Sequence, residues 1–86
     1  MSVRHEFVEK DGIRITYLDD NICFEDMETA DAILIDNAGQ VIHNNFDEQR
    51  TEYFLDYWHK IYDTIQTFRS LDAAEETDWL DKRNLN

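Results

Sequence analysis

The chain has 86 residues, of which 42% are hydrophobic and 13% aromatic, so residues 1–86 can form one packed domain but not two. Twenty acidic residues against eight lysines and arginines give a formal net charge of −12, which disfavours direct binding to nucleic acid or to an anionic membrane. No stretch approaches the roughly 20 apolar residues of a membrane span. The lone cysteine, Cys23, cannot form an internal disulfide, and the N-terminal segment is charged throughout. Together these features predict a cytoplasmic protein.

The first two predicted elements are the strands of a β-hairpin. Residues 3–8 and 13–17 alternate between two faces, which is typical of half-buried strands. Asp11 and Gly12 lie between them and form a strong two-residue turn signal. We therefore expect the chain to open with two antiparallel strands.

The next segment, residues 19–31, is acidic and has no clear period. We interpret it as connecting structure, with a short strand or one or two helical turns as alternatives. After it, residues 32–36 and 40–43 flank Asn37-Ala38-Gly39, a pattern that predicts a second hairpin with Gly39 in the left-handed region. The expected total is about four strands in one antiparallel sheet.

A long helix over residues 47–70 is the clearest predicted element, because this range contains no helix breaker. Asn45 or Asp47 can cap its start, and Asn45 has capping-box spacing with Glu48. Acidic residues fall on the face opposite the apolar one, as expected for a helix packed on a sheet. The centre of the apolar face consists of Phe54, Ile61, Ile65 and Phe68.

A short terminal helix is predicted after the long one. Asp72 and Glu75 repeat the capping-box spacing, and Trp79 and Leu80 can fold back on the core. The order of elements predicts an α+β fold. In it, an antiparallel sheet of about four strands, built from two hairpins, is packed by one long helix in the C-terminal half and a short terminal helix.

Catalytic and metal-binding motifs are not found in the sequence. An EF-hand beginning at Asp19 would place Phe24 at the required glycine and Ala30 at the last ligand. Cys23 and the three histidines lack the paired spacing of zinc sites, and no glycine-rich phosphate loop occurs. We therefore expect a protein that is not an enzyme and uses no cofactor or metal, with only an irregular divalent-metal site left open.

Acidic residues dominate the middle of the chain. Between Arg14 and Arg50 there are nine carboxylates and, apart from His43, no basic side chain. A compact domain of 86 residues would be about 30 Å across. Duplex DNA carries about 18 charges over that length. The net charge of −12 is within about a factor of two of that number. The expected function is the binding of a basic partner protein. The residues expected to bind it are Asp19, Asp20, Glu25, Asp26, Glu28 and Asp31.

In size and charge, though in no shared motif, the chain is similar to the DNA-mimic inhibitors that phages and mobile elements direct against host nucleases. Anti-restriction and anti-CRISPR proteins belong to this group. The resemblance implies that the partner is a nuclease or another nucleic-acid-binding protein. It also implies that the carboxylates occupy the positions of phosphates in the partner's basic site.

An alternative interpretation places function on the aromatic residues of the helix 47–70. Seven of the eleven aromatic residues fall between Phe46 and Phe68, a wider arc than a surface helix usually buries. Such a face would dock or dimerise, as in a regulatory, immunity-like or antitoxin-like module, unless the sheet and the second helix simply cover it. If the helix is the docking site, the acids are mainly a solvated coat. The residues concerned are Tyr53, Tyr57, Trp58 and Tyr62.

Overall fold

The computed structural model describes the backbone of residues 4–84 and the side chains of residues 4–72. The fold is α+β: five strands form one antiparallel sheet in the order β1-β2-β3-β4-β5, and one helix follows. The elements are β1 (His5–Lys10), β2 (Ile13–Tyr17), β3 (Asn21–Asp26), β4 (Ala32–Asp36), β5 (Val41–Asn44) and α1 (Glu48–Asn84).

The predicted opening hairpin is confirmed. Asp11 and Gly12 have φ angles of 54° and 81°, and positive φ at both central residues is the requirement of a type I′ turn. β1 pairs antiparallel with β2, and its register shifts between Glu6 and Val8, which leaves Phe7 as an extra residue. Phe7 packs against Phe68 of α1, with ring centroids 5.2 Å apart.

The segment interpreted as connecting structure contains the central strand of the sheet. β3 pairs with β2 on one side and with β4 on the other, so the sheet has five strands rather than about four. Ile22 and Phe24 are fully buried against α1. Only these two apolar residues mark the inner face of β3, and the carboxylates of Glu25 and Asp26 that follow them obscure the alternation in the sequence.

The predicted second hairpin is β4–β5, and Gly39 has a φ of 82° in its turn. A Cβ at this position would lie 3.5 Å from the indole of Trp58, an ordinary contact distance, so it is the backbone conformation that favours glycine here. The register shifts between Leu34 and Ile35, so Ile42 of β5 has no direct partner on β4.

The helix is one continuous element, and the prediction of a separate terminal helix is wrong. Neither glycine nor proline occurs between residues 48 and 84, so nothing breaks the helix at Asp72. Its start is capped by Asp47, whose Oδ1 accepts the backbone N–H of Arg50 at 2.8 Å. The side chains of Trp79 and Leu80, which were expected to fold back on the core, lie outside the described side chains.

The core lies between α1 and one face of the sheet. Phe54 contacts both Phe24 and Phe46, with ring centroids 5.2 and 4.8 Å apart. Such tilted aromatic pairs stabilise a core beyond their buried area. The buried hydrophobic residues are Ile15, Tyr17, Ile22, Phe24, Ile33, Ile35, Phe46, Phe54, Trp58 and Ile65.

The sheet has two ends that differ in what they contact. At the helix-start end, the turns 11–12 and 27–31 meet the beginning of α1, and the N–H of Met27 donates to the carbonyl of Gly12 at 2.8 Å. At the Arg69 end, the turns 18–20 and 37–40 meet the middle of α1. There the Arg69 Nε donates to the carbonyl of Leu18 at 2.8 Å.

Candidate partner-binding surface

The six acids expected to bind a partner are divided between the two ends of the sheet. Asp19 and Asp20 are exposed in the turn at the Arg69 end. Of the other four, Glu25 and Asp26 end β3, and Glu28 and Asp31 lie in the turn 27–31 at the helix-start end. Five residue steps of β3 separate the two groups, a distance of about 17 Å. The structure therefore does not bring the six carboxylates together.

Asp26 has a structural role at the helix-start end. It is only 7% exposed, and its Oδ1 accepts the backbone N–H groups of Glu28 at 2.9 Å and Thr29 at 3.4 Å. Its Oδ2 lies 3.1 Å from the Arg50 guanidinium. The hydrogen bond from Glu28 and the pairing with Arg50 hold the pKa of Asp26 below its ordinary value. This carboxylate is therefore already satisfied within the protein.

Two further members of the predicted set, Glu25 and Asp31, are only partly exposed. Glu25 lies on the sheet face opposite α1, where its cross-strand neighbour is Arg14. Asp31 is half-buried, and its backbone carbonyl accepts the N–H of Asp26 at 2.8 Å. Of the four predicted acids near this end, Glu28 is the most exposed.

Other acids that the sequence did not single out surround Glu28. An open cleft of about 520 Å³ is lined by Asp11, Glu28 and Tyr53 among others, and a second cleft of about 390 Å³ adjoins it through Gln49. The first turn of α1 lines the second cleft. We call the exposed acids of these two clefts the helix-start surface; they are Asp11, Glu28, Asp47, Glu48 and Glu52.

The sequence contained part of the signal for this surface. It placed Asp11 in a turn and Asp47 at a helix cap. Only the sheet topology shows that this turn, the β3–β4 turn and the helix start share one end.

The aromatic residues proposed as an alternative site mostly belong to the core. Trp58 is buried against Gly39, and Tyr62 packs on it with ring centroids 4.7 Å apart. Tyr57 meets the edge of Phe24 at 5.6 Å. Tyr53 differs, because it is 60% exposed and lines the cleft beside Asp11 and Glu28. The sheet thus covers most of the aromatic arc, and one tyrosine remains beside the acids.

Basic side chains in the described part of the chain are largely held by internal contacts. Arg69 donates to the backbone carbonyls of Leu18 and Asn21 and to the side chain of Asn37. Arg4 donates to Thr16.

Few of the acidic side chains are neutralised by ion pairs. Residues 4–72 contain sixteen carboxylates, and only three of them are in ion pairs within this range. These pairs are Arg14–Glu9, Arg50–Asp26 and Lys60–Asp56.

The molecule is longer than a sphere of the same mass. Its principal extents are 54 × 25 × 22 Å and its radius of gyration is 15.2 Å, because α1 is much longer than the strands. Over 54 Å, duplex DNA carries about 32 phosphates and one strand about 16. The net charge of −12 therefore resembles that of a single strand, and the comparison with a duplex drawn from a spherical shape is too favourable.

The described residues show little that suggests catalysis. Burial raises the pKa of the Cys23 thiol, which keeps it protonated and weakly nucleophilic at neutral pH. Within the residues that the structure describes, no group of three or more His, Cys, Asp or Glu side chains is arranged to hold a metal ion. In the same part of the chain, no helix is both long and apolar enough to cross a membrane.

Comparison with known proteins gives no match, whether to a protein family, to a curated protein or to a solved structure.

Proposed function

We propose that this protein is a non-enzymatic inhibitor that occupies the basic, nucleic-acid-binding site of a partner protein, such as a nuclease. One observation carries the proposal. The exposed acids of the helix-start surface lie beside an exposed aromatic side chain, Tyr53, while most cations of residues 4–72 are engaged in internal contacts.

The proposed mechanism is competitive occupation. Glu48 and Glu52 are one helical step of four residues apart, a rise of about 6 Å, and Glu28, in the β3–β4 turn, lines the adjoining cleft. Their carboxylates would accept hydrogen bonds from lysines and arginines that otherwise hold phosphates. The net charge of −12 would accelerate encounter with a basic surface, and salt would weaken this attraction.

Specificity requires contacts other than charge, and Tyr53 is placed to provide one. It lies within the cleft lined by Asp11 and Glu28. Met27, which is 42% exposed, adjoins Glu28 in the chain. Aromatic anchors beside polar groups contribute much of the binding energy at protein interfaces. Asp19 and Asp20 would form a second contact when the partner's groove follows the long axis of the molecule.

The test uses double variants that each remove two negative charges. Glu28→Gln with Glu52→Gln alters the helix-start surface, and Asp19→Asn with Asp20→Asn alters the Arg69 end. Glu6→Gln with Asp63→Asn removes two exposed carboxylates at other places and is the control. Each immobilised protein would be exposed to an extract of its native cells, and retained proteins would be eluted with salt and identified by mass spectrometry.

We expect the unaltered protein to retain a basic nucleic-acid-binding protein that duplex or single-stranded DNA displaces. The helix-start variant should weaken this binding by at least about tenfold, and the control by less than about threefold. If the helix-start variant and the control weaken binding equally, only the overall charge of the protein matters. Retention of a non-basic partner that DNA does not displace would contradict the proposal.

A further inference from the structure

One stretch of this highly charged chain carries no charge. Residues 37–46 contain no Asp, Glu, Lys or Arg, whereas 33% of the whole chain is charged. The next-longest such stretch, residues 64–68, has five residues. A neutral stretch of ten residues in this composition marks a surface with different electrostatic properties.

The structure places this stretch at an edge of the sheet. β5 is the last strand in the sheet order, so one of its sides has no strand neighbour within the described residues. All four of its residues are exposed, Val41 by 41% and Ile42 by 57%. The opposite edge, β1, carries Glu6, Glu9 and Lys10. Charged side chains on an edge strand oppose pairing with another strand, and β5 lacks them.

Charge also indicates which strand can pair with β5. A basic partner is attracted to the carboxylates, which residues 37–46 do not contain. A second copy of this chain carries −12 itself and can approach closely only where both surfaces are neutral. Antiparallel pairing of β5 with β5 about a two-fold axis brings two such surfaces together and joins them by backbone hydrogen bonds.

We propose that β5 is a self-association edge, at which two copies of the chain pair antiparallel and join their five-stranded sheets. In this dimer Ile42 contacts the second copy. Because the paired strands run in opposite directions, the two helix-start surfaces lie at opposite ends of the joined sheet. Self-association is thus compatible with the proposed inhibitory function but does not depend on it.

Salt distinguishes this association from binding to a basic partner. The two copies repel each other through their net charge, and added salt screens that repulsion. Dimerisation should therefore strengthen as salt rises, whereas binding of a basic protein should weaken. Failure of one proposal leaves the other measurable.

The experiment is sedimentation equilibrium of the full chain over a range of concentrations at low and high salt. We expect a monomer–dimer equilibrium whose dimer fraction increases with both. Ile42→Lys should raise the dimer dissociation constant by at least about tenfold. Leu71→Lys makes the same charge change at an apolar residue of α1 that is 59% exposed, and it should leave the dissociation constant within about threefold.

Hydrogen exchange of the unaltered protein supplies a second measurement, which holds even when Ile42→Lys does not fold. The backbone amides of Val41–Asn44 that point away from β4 should gain protection as the concentration rises. A monomer under all conditions, a dimer unaffected by Ile42→Lys, or protection that appears elsewhere and not in β5 would each overturn the proposal.

Discussion

The carboxylate of Asp26, at the end of β3, lies 3.1 Å from the guanidinium of Arg50, near the start of α1. The same carboxylate accepts the N–H of Glu28 at 2.9 Å, so one side chain joins the β3–β4 turn to the helix. The Arg50 guanidinium in turn lies 4.9 Å from the ring centroid of Phe46. These contacts fix the position of Glu28 relative to Glu48 and Glu52, and thereby shape the helix-start surface.

Replacing Asp26 by asparagine should destabilise the fold, although the exchange preserves the shape of the side chain. Its lowered pKa means that the ionised form is favoured by folding. This contribution is complete above the ordinary value of 3.8 and is lost as pH falls through the lower value of the folded state. We therefore expect Asp26→Asn to lower the urea midpoint at neutral pH, and the gap to the unaltered protein to narrow in acid.

Urea unfolding followed by circular dichroism at several pH values between neutral and the acid limit of the fold checks this prediction. A gap that stays constant with pH would show that the ionisation of Asp26 does not contribute to stability. Asp26 is for this reason unsuitable for binding variants, because its loss would change the surface and the fold together.

Arg69 is the corresponding connection at the other end of the sheet. Its Nε and Nη2 donate to the carbonyls of Leu18 and Asn21 at 2.8 and 3.1 Å, so Arg69→Ala leaves both without this partner. We expect a loss of roughly 2–4 kcal/mol in the free energy of unfolding. Lys60→Ala, which breaks only an exposed helical ion pair, should cost less than about 0.5 kcal/mol. Comparable losses in the two variants would contradict this role for Arg69.

Tyr17 should affect stability mainly at high pH. Its hydroxyl donates to the Asp72 carboxylate at 2.9 Å, and burial, followed by this carboxylate, raises the pKa of Tyr17. Its neutral form is favoured by folding, so this contribution is present below about pH 10 and is lost as pH rises through the raised value. Tyr17→Phe should cost about 1 kcal/mol at neutral pH and lose less stability than the unaltered protein in alkali.

Tyr53→Phe is the control for Tyr17→Phe. Because Tyr53 is exposed, this substitution should change the unfolding free energy by less than about 0.5 kcal/mol. Denaturant unfolding at neutral and alkaline pH measures both variants. An identical alkaline loss in Tyr17→Phe and in the unaltered protein would count against the role assigned to the buried phenol.

Replacing the buried Trp58 should mainly reduce stability, whereas replacing the exposed Tyr53 should mainly reduce partner binding. Trp58→Ala removes a buried ring that packs on Gly39 and Tyr62, and should cost about 3–5 kcal/mol. Tyr53→Ala should cost less than about 1 kcal/mol but weaken binding of the partner. Unfolding curves and the capture experiment on the same variants make the comparison. A stable Trp58→Ala variant that no longer binds would restore the aromatic interpretation.

Much of the fold follows from local signals in the sequence. The Asp11-Gly12 turn has the positive φ angles that its composition predicts, and Gly39 has the same property in the second hairpin. β3 was missed because it is central and short, with an inner face marked only by Ile22 and Phe24. The false helix break arose because capping-box spacing at Asp72 is a local pattern, and nothing there forces the backbone out of the helix.

The candidate surface was less predictable than the fold. The sequence identifies the acids, but whether two carboxylates lie close together depends on which turns share an end of the sheet. Asp19 and Glu28 are nine positions apart and lie at opposite ends, whereas Asp11 and Glu28 are seventeen apart and line one cleft. The role of Asp26 was equally hidden, since it depends on the distant Arg50.

The most direct test of the proposed function is the salt dependence of binding to the captured partner, measured by titration calorimetry with DNA as competitor. We expect affinity to fall steeply as salt rises, nucleic acid to displace the protein, and Glu28→Gln with Glu52→Gln to reduce the slope. An affinity that is nearly independent of salt, with a partner that binds DNA and this protein simultaneously, would contradict occupation of a phosphate-binding site.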